Sequence, residues 1–278
     1  MILAVNTAEE TLQLVLSDDG RVAAVFEEHC AGRMNEVMAP AVTRMLKLDG
    51  RSGAWDPDPS EAGSLGPGGR VQGPADRPFP VRLTGVACVC GPGSFTGLRL
   101  GLAFATGFSL ARGLPMAGID YLPLLAVSAL ADSRDTRGFD EIHVLTHSRT
   151  ARVYHQGFAR TDGDALAPLG PPRDLSTAEA REALAGRAAL ARVVALGTGL
   201  RRNQDAFADI PGVTLLPMEN PTPEALARAS QAATFDGPPV DALYLRGSDA
   251  EENLAMIAKG RGLTEEEALE RMEKALKS

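Results

Sequence analysis

The first fifty residues carry two hydrophobic periods, which predict a small sheet followed by a helix. Apolar or alternating runs at residues 1–5, 11–16 and 21–26 predict three strands. From residue 34 to residue 47 the spacing becomes helical, and Pro40 is expected to kink this helix or to mark its first turn. One face of the helix is apolar and consists of Met34, Val37, Met38, Ala41, Val42 and Met45.

The strongest apolar pattern lies in the middle of the chain and predicts a buried strand, a glycine turn and a helix. The strand covers residues 86–90, and the helix extends to about residue 112. Small residues recur every four positions along the helix, where they let another backbone approach closely: Gly97, Gly101, Ala105 and Ser109. A helix that is apolar nearly all round is expected to be buried on two sides, one against its own sheet and one against a second helix layer or a partner.

Residues 51–80 differ from their surroundings in composition. Twelve of these thirty residues are glycine or proline, and they show no hydrophobic period. Such a segment buries too little apolar surface to order itself, so we predict a mobile insertion with fast hydrogen exchange. Trp55, the only tryptophan, lies within it. We expect Trp55 to be exposed or transiently docked, with a partner anchor as the alternative.

The order of predicted elements is β-β-β-α-β-α-β-α, and residues 141–233 repeat it. Two copies of one order predict an α/β fold of two lobes, with the duplicated actin-like and sugar-kinase-like architecture (ASKHA, RNase H-like). We expect a first lobe at residues 1–133, a second lobe at 134–236, and a connector with a helical tail at 237–278. The tail is predicted to form two helices, which begin at the capping pairs Asp249 with Glu252 and Thr264 with Glu267.

Composition and charge exclude several classes of protein. The chain is 44% hydrophobic and 23% charged, as is usual for a globular protein, and its net charge of −8 argues against strong nucleic-acid binding by the chain alone. The three cysteines, Cys30, Cys88 and Cys90, show no metal-ligand spacing and are expected to be reduced and buried. The N-terminus lacks the charged region of a signal peptide. We therefore expect a cytoplasmic protein with no membrane segment and no metal site.

The glycine turn is open to several interpretations. Gly91, Gly93 and Gly97 are spaced G-x-G-x-x-x-G, one residue longer than the dinucleotide-binding fingerprint. The lysine of a phosphate-binding loop is absent from the turn, and Ser94 lacks the G-x-S-x-G spacing of a catalytic serine. The pattern favours a role in structure or partner contact.

The turn and the helix after it resemble one family. The sequence Gly91-Pro92-Gly93-Ser94-Phe95-Thr96-Gly97-Leu98-Arg99, the opening Ile-Leu-Ala-Val-Asn-Thr and the triplet Tyr244-Leu245-Arg246 are similar to those of the TsaB family, also called YeaZ. The resemblance implies a non-catalytic subunit of the machinery that places threonylcarbamoyl on adenosine 37 of tRNAs reading codons that begin with A. It further implies a homodimer, or a heterodimer with the catalytic paralogue TsaD, which the ATPase subunit TsaE joins. It implies contact with tRNA only through the complex.

The apolar patterns and the resemblance together predict which residues contact a partner. The predicted interface consists of Met34, Val37, Met38, Ala41, Met45, Gly97, Gly101, Phe104, Ala105 and Phe108. The predicted motif turn consists of Gly91, Pro92, Gly93, Ser94, Phe95, Thr96 and Arg99.

Three departures from the family bear on activity. Asn6 stands where the family usually has aspartate, and an amide there weakens the case for ATP hydrolysis. The family's Asp-Ala-Arg appears as His147-Ser148-Arg149. Position 34 is methionine, and the metal-binding histidine pair of the catalytic paralogue is absent.

Three hypotheses follow. The first is a scaffold subunit without catalytic residues or a cofactor of its own. The second is an ATPase or a glycoprotease-like peptidase that acts alone, and the third is a module that binds a small molecule between the lobes. The sequence leaves open the quaternary state, whether ATP or ADP binds at the interface of a complex, and the roles of the insertion and the tail.

Overall fold

A computed structural model describes residues 1–30, 32–47, 70–72, 82–132, 138–161, 165–237, 239–245 and 264. The chain divides into two compact units, Met1–Leu243 and Tyr244–Ser278. All the helices and strands given below belong to the first unit. Both predicted tail helices lie outside the described residues, apart from Thr264.

The first sheet has six strands, and its central part is parallel. Its strands are β1 (Ile2–Asn6), β2 (Thr11–Asp18), β3 (Arg21–His29), β4 (Arg70–Gln72), β5 (Gly85–Gly91) and β6 (Met116–Asp120). The spatial order is β4-β3-β2-β1-β5-β6, in which β1, β5 and β6 are parallel and the other neighbours antiparallel. Three helices follow strands of this sheet: α1 (Met34–Lys47), α2 (Phe95–Arg112) and α3 (Tyr121–Asp132).

The second sheet repeats this plan. Its strands are β7 (Glu141–Arg149), β8 (Arg152–Arg160), β9 (Leu166–Pro168), β10 (Arg173–Ser176), β11 (Val193–Leu196) and β12 (Val213–Leu215). An antiparallel hairpin, β7–β8, is again followed by parallel strands, in the order β10-β8-β7-β11-β12 with β9 on β8. The remaining helices are α4 (Thr177–Ala188), α5 (Thr198–Arg202), α6 (Gln204–Phe207) and α7 (Pro223–Ala232). The predicted duplication of one α/β order is confirmed.

Local sequence signals fix most of these elements. Helix α4 begins with a capping box, in which the Ser176 hydroxyl accepts from the Glu179 N–H and the Glu179 carboxylate accepts from the Ser176 N–H. Two short helices, α5 and α6, follow β11 and meet at Asn203. Strand β4 lies inside the glycine- and proline-rich segment and was not predicted. The rest of residues 51–80 lies outside the described residues.

The apolar face of α1 lies in the core of its own lobe, which corrects its predicted exposure to a partner. Met34, Val37, Met38, Ala41 and Met45 are all at most 6% exposed and pack in one cluster with the side chains of β1, β2 and β3. These five residues are therefore held by the chain itself. Pro40 lies inside α1 and not in its first turn.

Helix α7 follows the second sheet in sequence and packs on the first. Gln13 donates to the carbonyl oxygen of Pro221 at 2.8 Å, and the Ser17 hydroxyl donates to the carbonyl oxygen of Ala227 at 3.2 Å. Leu226 and Ala227 are fully buried. The chain thus returns to the first sheet before residue 236, where the sequence placed the end of the second lobe.

Candidate functional site

The glycine turn between β5 and α2 is tied to the loop that follows β1. The Ser94 N–H donates to the carbonyl oxygen of Ala8 at 2.7 Å, and the Ser94 hydroxyl caps α2 by accepting from the Gly97 N–H at 3.3 Å. A Cβ at Gly93 would lie 2.5 Å from the carbonyl oxygen of Ala8. The turn brings the start of α2 against the β1–β2 hairpin, and Ser94 serves as a helix cap.

The small residues along α2 also allow the helix to lie against the β1–β2 hairpin. A Cβ at Gly97 would overlap the carbonyl oxygen of Thr7, and a Cβ at Gly101 would overlap the Thr7 hydroxyl. Ala105 is fully buried in the core of the first lobe. The sequence analysis assigned Gly97, Gly101 and Ala105 to a partner interface, and this is corrected: Gly97 and Gly101 pack against Thr7 of their own hairpin, and Ala105 packs in the core of its own lobe.

The opposite face of α2 is exposed and, between Arg99 and Arg112, carries no charge. Leu110 is 66% exposed, Ala103 and Gly107 lie on the same exposed face, and residues 100–110 contain no charged side chain. Phe104 and Phe108 stack with ring centroids 5.9 Å apart and are only half-buried, so these two predicted interface residues remain accessible. At the start of this face the Arg99 guanidinium lies 3.8 Å from the centroid of the exposed Phe95 ring. An uncharged apolar surface of this kind favours contact with another protein.

Asn6, at the end of β1, is held in a network that occupies its amide. Its Nδ2 donates to Gln13 Oε1 at 2.6 Å, and its Oδ1 accepts from the Ala8 N–H at 3.1 Å. Gln13 in turn donates to Glu27 at 2.6 Å. Asn6 is fully buried and orders the hairpin loop. This network gives Asn6 a structural role.

The hairpin loop reaches the start of α5, the second-sheet counterpart of the α2 start. The Thr198 hydroxyl donates to Glu9 Oε1 at 2.9 Å and accepts from the His147 N–H at 2.9 Å. Beside it, Arg202 forms an ion pair with Glu10 at 2.7 Å. Burial raises the pKa of Glu9 from its ordinary value of 4.5 to about 8, against the opposing effect of the Thr198 hydrogen bond. Two glutamates thus occupy the loop, and the charge of Glu10 disfavours a phosphate there.

The cavity beside this hairpin is also acidic. It has a volume of about 860 Å³ and is lined by the ends of β2 and β3 and by residues 216–223. Glu27, Glu28 and Glu219 contribute carboxyl groups to its wall. Among the residues that the structure describes, no group of three or more His, Cys, Asp or Glu side chains is arranged to hold a metal ion. Two of these carboxylates are paired with arginines, Glu28 with Arg33 and Glu219 with Arg201.

Because Glu9 is buried, we predict that the stability of the fold depends on pH and that Glu9→Gln removes this dependence. The unfolded chain ionises Glu9 near pH 4.5 and the folded chain only near pH 8, so the fold loses stability as the pH rises between these values. The full loss is at most about 5 kcal/mol. The Glu9→Gln variant keeps an oxygen that can accept from the Thr198 hydroxyl. We therefore expect the variant and the wild type to have the same free energy of unfolding at pH 4.5, and the variant to have the higher one at pH 8.5. Urea unfolding at both values tests this, and parallel pH profiles for the two proteins would contradict it.

Comparison with known proteins identifies the class of fold. A Pseudomonas aeruginosa protein described as similar to peptidase YeaZ superposes with a TM-score of 0.62 at 21% identity, over 88% of this chain and 99% of that chain. YeaZ from Pseudomonas aeruginosa superposes with a TM-score of 0.52 at 19% identity, over 96% and 98%. The two-lobed architecture is therefore the duplicated actin-like, sugar-kinase-like (ASKHA) fold that the element order predicted.

Sequence comparison finds relatives among proteins of tRNA threonylcarbamoylation. The family model of TsaD, tRNA N6-adenosine threonylcarbamoyltransferase, matches residues 80–172. The Escherichia coli (strain K12) tRNA threonylcarbamoyladenosine biosynthesis protein TsaB is 28% identical over 161 residues, which cover 58% of this chain and 56% of that protein. An uncharacterized Mycobacterium leprae protein is 30% identical over 60% of this chain and 39% of its own length. These similarities support the resemblance to the TsaB/YeaZ family that the glycine-turn motif indicates.

The matched segments are shorter than the relatives themselves. They span about half of the Escherichia coli protein and less of the mycobacterial one. Of the described helices, none is long and apolar enough to cross a membrane.

Proposed function

We propose that this chain is a non-catalytic subunit of the machinery that adds threonylcarbamoyl to adenosine 37 of tRNA. The main observation behind the proposal is that the two faces of α2 differ. Its small residues lock one face onto the chain's own hairpin, and this presents an opposite face of uncharged, exposed residues next to the family motif. Such a helix is a fixed platform for another protein.

The partner that best fits this platform is the catalytic paralogue TsaD. A paralogue of the same two-lobed fold would present an equivalent α2, so two such helices can pack against each other in a pseudo-symmetric pair. The match of residues 80–172 to the TsaD family model includes α2 and supports this choice. A homodimer through the same face is the alternative in the absence of TsaD. TsaE would join the pair, and tRNA would be bound by the complex as a whole.

The chemistry of the hairpin supports a subunit without its own turnover. Asn6 has both polar ends of its amide engaged within the chain, and the neighbouring Glu9 is directed at Thr198. Carboxylates line the adjacent cavity. Nucleotide used by the assembly would then bind at the interface with its partners.

The second candidate function, an ATPase or peptidase that acts alone, is tested directly. We expect the purified chain to show no ATP turnover above that of an equally purified Asn6→Ala variant, because no group in its hairpin is placed to activate water. Phosphate release measured over a wide ATP range would check this. Turnover that survives further purification and falls in the Asn6→Ala variant would support the second candidate and contradict the proposal.

A further inference from the structure

A buried relay of charged and aromatic nitrogen groups crosses the second lobe, away from α2 and the hairpin loop. At one end Arg187 of α4 forms two hydrogen bonds to the Glu141 carboxylate, one of them from Nε at 2.9 Å. Glu141 Oε2 also lies 3.0 Å from His143 Nε2, and His143 Nδ1 lies 3.0 Å from His155 Nε2. Glu141, His143 and His155 are each at most 5% exposed. The relay therefore runs from Arg187 to His155.

The hydrogen bonds determine which nitrogen carries each proton. Arg187 lowers the pKa of Glu141, and burial lowers the pKa of both histidines, so the carboxylate is charged and the rings are neutral. The Glu141 carboxylate only accepts, so His143 must donate from Nε2 and accept at Nδ1. His155 then donates from Nε2 and is left with a lone pair on Nδ1. This Nδ1 is buried and has no hydrogen-bond partner in the described part of the chain.

His155 lines a cavity of about 490 Å³ under α4. The cavity walls come from β7, β8, the segment 169–173 and the last turns of α4. Arg173 lies directly opposite His155 in the β8–β10 ladder, so the two side chains share the face that lines the cavity. The Arg173 side chain is exposed, and among the described residues none forms a hydrogen bond or an ion pair with its guanidinium. Leu169, Pro171 and Ala183 add apolar surface. The cavity wall thus contains a guanidinium and the ring of His155, whose Nδ1 is a buried acceptor without a partner among the described residues.

We propose that this cavity binds a small oxyanion that also carries an O–H or N–H donor. The anionic group pairs with the Arg173 guanidinium, which suits planar or tetrahedral oxyanions. The donor group fills the lone pair of His155 Nδ1, whose burial without a partner is otherwise unfavourable. The relay to Arg187 fixes the tautomer that makes His155 an acceptor. The site lies in a different lobe from α2 and does not depend on the proposed partner function.

Two probes and a matched control test the chemistry. Glycolate carries a carboxylate and a hydroxyl, inorganic phosphate carries an oxyanion and a hydroxyl, and acetate carries a carboxylate alone. The full chain contains only four histidines, so nitrogen-15 resonances of labelled imidazoles can be assigned, with His155→Asn identifying His155. We expect glycolate or phosphate to shift the His155 Nδ1 resonance, and acetate to bind at least tenfold more weakly than glycolate. Tighter binding of glycolate would identify a carboxylate site, and tighter binding of phosphate would identify a phosphate site.

The role of Arg173 is tested with a surface control. Arg173→Gln removes one exposed charge without touching the relay, and we expect it to weaken the preferred probe at least tenfold. Arg228→Gln, which changes an exposed arginine of α7 outside the cavity lining, should leave binding unchanged. A His155 resonance that no probe shifts would show that the cavity holds water only and would overturn the proposal. Equal binding by Arg173→Gln and the wild type would also overturn it.

Discussion

Gly97→Ala is expected to destabilise the first lobe by about 3 kcal/mol or more. The new Cβ would overlap the carbonyl oxygen of Thr7, which is backbone directly after β1 and has no rotamer to change. Relief requires α2 to move off the hairpin, which would break the hydrogen bond from Ser94 to Ala8. For a chain of this size the loss corresponds to a fall in melting temperature of about 10 °C.

Gly107→Ala in the same helix is the matched control. A Cβ at Gly107 meets nothing within 4 Å. Removing a glycine from an exposed helix position stabilises the helix by about 0.5–1 kcal/mol, so Gly107→Ala should melt at or above the wild-type temperature. Thermal melts that place Gly97→Ala level with Gly107→Ala would contradict the close packing of α2 on its hairpin.

Gly101→Ala separates a side-chain overlap from a backbone overlap. Its new Cβ would meet the Thr7 hydroxyl, which has no hydrogen-bond partner among the described residues and can be removed at little cost. We expect Gly101→Ala to be destabilising and the double variant with Thr7→Ala to recover most of the loss. The same second substitution should not rescue Gly97→Ala. Rescue of both variants, or of neither, would contradict the assigned contacts.

Leu110→Asp is expected to weaken pairing with TsaD about a hundredfold while leaving the chain folded. Leu110 is 66% exposed, so the aspartate is hydrated in the free chain and destabilises it little. Within a paired interface the same carboxylate would be buried without a partner, at a cost of about 3 kcal/mol. Sedimentation and titration calorimetry measure the pairing, and circular dichroism checks the fold.

Leu190→Asp is the control for this prediction. Leu190 is 78% exposed just after α4 of the second lobe, where we propose no partner contact. The substitution is chemically identical, so it should leave the affinity for TsaD unchanged. Wild-type affinity in both variants would place the interface elsewhere. An equal loss in both would indicate a general effect of added negative charge.

The sequence predicts the elements of this fold well because their signals are local. The period of α1 gives its bounds, Met34–Lys47, and the Ser176–Glu179 pair gives the start of α4. The glycine turn places α2 directly after β5. The repetition of one element order predicts two lobes. Each of these inferences depends on residues within a few turns of one another.

The faces of the helices were harder to assign, since both sides of α2 are apolar or small. The stripe at Gly97 and Gly101 is compatible with any close backbone, and only the folded chain shows that this backbone is Thr7. The docking of α7 on the first sheet is likewise a contact between segments distant in sequence. The contact between His143 and His155 depends on the β7–β8 register, which the sequence alone does not show.

One reconstitution tests the central claim that this chain acts through a catalytic partner. TsaD, TsaE and tRNA are incubated with the small-molecule substrates of the reaction, and threonylcarbamoylated adenosine is measured by mass spectrometry of the digested nucleosides. We predict product only when the wild-type chain or Leu190→Asp is added, and little with Leu110→Asp. Product formed at full rate without the chain, or formed by the chain when TsaD is omitted, would contradict the account.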